Sequence, residues 1–141
     1  MAFIRHVAER TFLLERSDNT VVVLTQTDEV GPICWGFFWY RDGDFFGFRN
    51  ELGEIITPPV YLEVSNFDKT WHAAVRSETG WGFINQEGKA TTRLIYDKVW
   101  WYKDGYVKVQ KEGNILYLNK YGLEPSDSYM NNFIKNIWEE N

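Results

Sequence analysis

The chain has 141 residues, 44% of them hydrophobic and 18% aromatic, and a formal net charge of −5. That length suffices for one domain whose core needs no disulfide or metal staple, and a lone cysteine, Cys34, excludes an internal disulfide and a cysteine zinc cluster. The acidity is lopsided: residues 1–70 carry 6 basic and 11 acidic side chains, residues 71–141 carry 9 and 9, so no basic footprint for nucleic acid is offered.

In chain order, Met1–His6 has no basic segment followed by an apolar one, which predicts no signal peptide and a cytoplasmic, reducing setting. Residues 3–15 fit either a short helix then a strand, or two strands, with strand favoured from Thr11 onward. Turn signals then recur at Asp18-Asn19, Asp42-Gly43, Thr79-Gly80, Glu87-Gly88, Asp104-Gly105, Glu112-Gly113 and Tyr121-Gly122. The runs between them are too short for crossover helices and predict antiparallel pairing. In Trp81–Asn85, Trp81 and Phe83 share one face and Ile84 takes the other; in Tyr106–Lys111 the valines alternate with Lys108 and Gln110, which are expected to face water. Phe38-Trp39-Tyr40-Arg41-Asp42-Gly43 resembles Trp100-Trp101-Tyr102-Lys103-Asp104-Gly105, either as a shortened extra repeat or as two similar turns. After Pro125, helical spacing of Met130, Phe133, Ile134, Ile137 and Trp138 predicts an amphipathic helix over 127–140, capped by Ser126 or Asp127 and docked through Trp138.

The strongest signal is internal. Phe46-Gly47-Phe48-Arg49-Asn50-Glu51-Leu52-Gly53-Glu54 aligns with Trp81-Gly82-Phe83-Ile84-Asn85-Gln86-Glu87-Gly88-Lys89 at an offset of 35, and Tyr61 and Val64 align with Tyr96 and Val99. After a one-residue slip Phe67, Val75 and Glu78 align with Trp101, Val109 and Glu112, and a third copy starts at Ile115. An aromatic-Gly-aromatic strand, a turn ending in Gly and a later Val-containing strand resemble the bacterial WG repeat over about residues 46–123. Phe46 and Ile115-Leu116 depart from its Trp-Gly pair. The resemblance implies a repeat scaffold without shared catalytic residues. The expected fold is an all-β antiparallel meander of hairpins with a C-terminal helix. It forms a single domain, 1–141, made of divergent strands (1–45), repeats (46–124) and the helix (125–141). Gly82 is expected to admit a neighbouring aromatic or backbone segment.

A search for chemistry returns little. His6 and His72 lack ligand spacing, Asp42-Gly43-Asp44 lacks the remaining ligands of a calcium loop, and Cys34 has only His72 as a conceivable base. No cofactor, metal, membrane or nucleic acid is expected, and neither is enzymatic activity. The expected function is protein binding by a non-catalytic scaffold, with an immunity protein or antitoxin against a basic toxin as its specific form, since an acidic surface steers a cationic partner. Its candidate contacts are Asp42, Asp44, Glu51, Glu54, Glu63 and Asp68 with the aromatics Trp100, Trp101 and Tyr102. A structural or regulatory repeat module and a glycan-binding module using exposed aromatics stand as alternatives.

Overall fold

The computed structural model describes residues 1–140. Thirteen strands precede one helix: β1 (Phe3–Ala8), β2 (Thr11–Glu15), β3 (Val21–Leu24), β4 (Glu29–Val30), β5 (Phe37–Asp42), β6 (Phe45–Asn50), β7 (Ile55–Tyr61), β8 (Glu63–Val64), β9 (Ala73–Ser77), β10 (Gly80–Ile84), β11 (Lys98–Lys103), β12 (Tyr106–Lys111), β13 (Asn114–Leu118) and α1 (Ser128–Glu139). They form four small antiparallel sheets in sequence order: β1-β2-β3, β4-β5-β6-β7, β8-β9-β10 and β11-β12-β13. The all-β meander with a terminal helix is therefore as expected, and residues 3–15 are two strands.

Every sheet is built on the same hairpin. Two-residue turns join β1 to β2, β5 to β6, β9 to β10 and β12 to β13, and the residues that follow them, Thr11, Phe45, Gly80 and Asn114, lie 34, 35 and 34 positions apart. A second turn then closes each hairpin. In it Asn19, Gly53, Gly88 and Gly122 donate their N–H to the carbonyls of Arg16, Asn50, Asn85 and Asn119, all four in the left-handed region at φ +68° to +87°. So residues 3–24 are a full first copy. The WG pattern misses it because Leu13, Leu14 and Asn19 stand where the second copy has Gly47, Phe48 and Gly53. The resemblance between Phe38–Gly43 and Trp100–Gly105 is one of turns. Gly43-Asp44 joins β5 to β6 and corresponds to Glu112-Gly113, whereas Asp104-Gly105 precedes the hairpin.

The copies stack through one recurrent position. Leu14 packs with Phe38 of the second sheet, Phe48 with Ala73 and Val75 of the third, Phe83 with Val107 and Val109 of the fourth, and Tyr117 with Ile134 and Trp138 of the helix. The helix thus occupies the place of a fifth layer. Each such burial stabilises by about 1.5–3 kcal/mol, and the layers depend on one another as in other repeat arrays.

Local chemistry sets the helix. Asp127 is its N-cap, its Oδ1 accepting from the Met130 N–H at 2.8 Å. Ile134 and Trp138, one turn apart, are its buried residues. They cover Lys108, which the alternation in Tyr106–Lys111 had pointed to water. The Lys108 ammonium instead lies 4.8 Å from the Trp100 ring and 5.3 Å from the Trp138 ring, and 3.2 Å from Glu139 Oε1. Alternation fixes the face of a strand but not what covers it.

A candidate interaction surface on the tryptophan edge

The turns that lead into the hairpins line up along one edge, and tryptophans occupy those of the second and third sheets. Trp35-Gly36 forms a two-residue turn between Cys34 and Phe37, which exchange both backbone hydrogen bonds at 2.8 and 3.1 Å. Both turn residues have positive φ, +55° and +87°. Such a turn favours Asn, Asp or Gly at its first position, and the corresponding turn of the fourth sheet is Asp104-Gly105. Trp71 sits in the second kind of turn. Its N–H reaches the Asp68 carbonyl at 3.0 Å, the Asp68 N–H reaches the His72 carbonyl at 3.1 Å, and Asp68 Oδ1 accepts from the Thr70 N–H at 2.8 Å. These are the bonds that Asn50 and Gly53 make in their own turn, yet here the left-handed residue (φ +64°) is a tryptophan. Four other turns of that design use Gly or Asn. A bulky side chain in this region costs about 1–2 kcal/mol, and strain of this kind gathers at functional positions.

The two strained rings touch. Trp35 and Trp71 are 53% and 46% exposed, with centroids 6.1 Å apart at 70°. Below them Phe37 meets Trp71 edge-on and stacks on buried Phe67 at 4.4 Å. The edge continues through a cleft of about 590 Å³ lined by Lys69, Thr70, Trp101, Tyr102, Lys103 and Asp104. Trp101 is brought there by a bulge: Val99 pairs with Val109 and Tyr102 with Val107, so Trp100 and Trp101 together oppose Lys108. That extra residue turns Trp101 outward, 52% exposed, beside Trp138 at 5.4 Å.

His72 joins the two halves of the edge. Its ring stacks on Tyr102 at 3.8 Å, and Nδ1 lies 3.1 Å from Thr70 Oγ1. Burial pushes its pKa down against the opposing pull of Asp68, so the ring is neutral at pH 7. Its partner is thus Thr70, and no hydrogen bond joins it to Cys34. Among the described residues no three His, Cys, Asp or Glu side chains gather as a metal site would require. No helix among the described residues is long and apolar enough to cross a membrane.

The residues expected to bind a partner divide. Asp68, Trp101 and Tyr102 come together on this edge, although Tyr102 is buried beneath His72 and Phe83 and leaves only its neighbour Trp101 to be touched. Trp100 faces the other way, between Lys98 and Lys108. Asp42 and Asp44 lie at one end of β6 and Glu51 and Glu54 at the other, about 17 Å apart along a six-residue strand. Asp42 is paired with Arg10, Glu63 with Arg76, and Glu54 holds the Asn50 side chain. The acids therefore form no single patch. Trp35 and Trp71 were missed, and the signal was present: Trp35-Gly36 follows the apolar Ile33-Cys34, and Trp71 stands where the other turns place glycine.

The family model for the WG containing repeat matches residues 46–75 and 81–114. Each match starts on the second strand of one hairpin and ends on the next sheet, so the sequence repeat straddles a layer boundary. No curated protein and no solved structure matches the chain. Those two stretches, 30 and 34 of the 141 residues, are therefore WG containing repeats.

Proposed function

We propose that this chain is a non-catalytic protein-binding module and that the edge formed by Trp35, Trp71 and Trp101 is its contact surface. The observation that supports this is the placement of two exposed tryptophans in backbone conformations that disfavour them, side by side. Tryptophan is also the residue most enriched among binding anchors. The two rings meet at 70°, a corner into which an apolar side chain of a partner fits, rather than the flat platform on which a sugar ring stacks.

The more specific form, inhibition of a basic toxin, draws its support from the net charge of −5 and from Asp44 and Glu51, exposed near opposite ends of β6. Ion pairs of Asp28 and Asp42 with Arg10, Glu29 with Arg41 and Glu63 with Arg76 offset much of that acidity locally. The aromatic edge carries protein binding without it.

The test pairs binding with folding. Trp35→Asn and Trp71→Gly place favoured residues in both turns, so the double variant is expected to stay folded and to lose the partners that wild type captures from host lysate. Capture is repeated at low and high salt. One stoichiometric basic partner weakened by salt supports the inhibitor form. Equal capture by wild type and the folded double variant removes the edge as the site.

A further inference from the structure

One layer of the stack lacks a neighbour on one side. The inner face of the first sheet, with Leu14 and Leu24, packs on Phe38. On its outer face, strand pairing places Arg5, Leu13 and Val23 in one row and Phe3, Glu15 and Val21 in the next. Phe3, Val21 and Val23 are 53%, 51% and 57% exposed. In the three later sheets the corresponding face carries Tyr40, Val75 or Val109, all buried; here Arg5 stands in that position, paired with Glu15 at 3.2 Å. At the opposite end of the stack, α1 covers the fourth sheet with Ile134 and Trp138 and turns a second apolar ridge outward: Tyr129, Met130 and Phe133, the first and last 76% and 50% exposed.

We infer that the chain associates with a second copy of itself head to tail, the bare face of the first sheet in one copy seating on the outward ridge of α1 in the next. The bare sheet face and the bare helix ridge lie at opposite ends of one stack, and the contact continues the succession of layers that already joins each sheet to the next. Three strands about 4.8 Å apart and about 20 Å long offer roughly 300 Å² per copy, which is small for an interface, so association is weak. Because the two contacting surfaces differ, the contact does not close at a two-fold dimer but adds further copies, as an open chain or as a ring.

Sedimentation velocity of the full chain, from about 1 μM to about 1 mM, reads the weak range directly. Wild type is expected to gain mass steadily with concentration. Val23→Glu removes the sheet face and Phe133→Glu the ridge; both side chains are exposed, and circular dichroism checks that each variant folds, with Val21→Lys replacing the first should it not. Each variant alone is expected to remain monomeric, while an equimolar mixture forms a dimer and nothing larger, since each supplies the surface the other lacks. A wild type that stays monomeric throughout overturns the inference. So does a mixture that stays monomeric, or a Phe133→Glu variant that associates as wild type does, which would mean two sheet faces meeting each other.

Discussion

The two inner hairpins and the two outer ones share the same turn-to-turn spacing, and one position in the second strand sets the two pairs apart. There the inner copies have Gly47 and Gly82, after Phe46 and Trp81, and the outer copies Leu13 and Leu116, after Phe12 and Ile115. The reason is what crosses the strand. A Cβ built on Gly47 would meet the Thr57 carbonyl oxygen at 2.5 Å, and one on Gly82 the Arg93 carbonyl oxygen at 2.5 Å. In both inner copies the chain, having turned, passes back over the glycine, and a threonine hydroxyl (Thr57 or Thr92) accepts from the Phe48 or Phe83 N–H at 3.1 Å. In the first copy β3 instead runs along β2 in an ordinary ladder, Leu13 opposite Val23. In the fourth the chain leaves through Pro125, and Asn131 of the helix accepts from the Tyr117 N–H at 3.0 Å. The glycine of the Trp-Gly pair is thus a spacer for a crossing segment, and where nothing crosses, leucine fills the gap.

The sharpest way to break this comparison is to add a methyl group. Gly82→Ala drives a carbon into the backbone of Arg93, a contact that cannot rotate away, and should cost about 3 kcal/mol. The opposite change at an outer copy, Leu13→Ala, trims a half-buried side chain over which no segment crosses and should cost about 1 kcal/mol. Urea denaturation of the two variants measures both. A Gly82→Ala loss below about 1 kcal/mol would mean that the crossing segment yields and that glycine is there for another reason.

The hydrogen bonds rank next. Thr92→Val keeps the volume and strands the Phe83 N–H, for an expected loss of about 2 kcal/mol; Thr57→Val should match it at Phe48. Asn131→Ala strands the Tyr117 N–H beneath the end of α1, where fraying admits water, and should cost about 1 kcal/mol. Its effect should also appear as a loss of helical signal at 222 nm, roughly one turn's worth, before the sheets unfold. Equal losses at Thr92 and Asn131 would erase the distinction between inner and outer copies.

The strained tryptophans test the other division in the molecule, between residues that hold it together and residues on its edge. Trp35→Asn should leave stability unchanged or raise it by about 1 kcal/mol, since Asn favours the left-handed turn. Thermal denaturation of that single variant checks this; a fall in Tm would make Trp35 a packing residue.

The sequence shows the repeat where the crossing occurs, because crossing demands glycine, and it hides the repeat where leucine replaces it. Residues 3–24 adopt the same hairpin with none of the signature, since a left-handed turn position is satisfied by Asn19 as well as by glycine. The helix is legible from the spacing of Ile134 and Trp138. That it would cover Lys108 is not, because strand alternation carries no information about the next layer. The tryptophan edge is legible only once the turns are aligned, when Trp71 falls on a glycine position. The acids chosen from sequence scatter because β6 separates its two ends, a distance no charge count reports.

The smallest expected effect separates inner from outer contacts by acidity. His72 stacks between the third and fourth sheets, and burial holds its pKa below 6.5. The unfolded chain therefore takes up this proton first as pH falls, and the inner junction loses stability from about pH 6.5 downward, through the lowered folded value. Glu139 anchors the outer junction. The Tyr117 hydroxyl and Lys108 hold its pKa below 4.5, so its contribution is intact above that pH and is lost only as pH falls further. Denaturation midpoints at pH 7.5 and 5.5 should drop for wild type and drop less for His72→Gln, whereas Glu139→Gln should leave that interval unaltered and change the response only below about pH 4.5. If Glu139→Gln also changes the interval between pH 7.5 and 5.5, the Glu139 carboxyl is not held below 4.5 in the folded chain, and acidity does not separate the inner junction from the outer one.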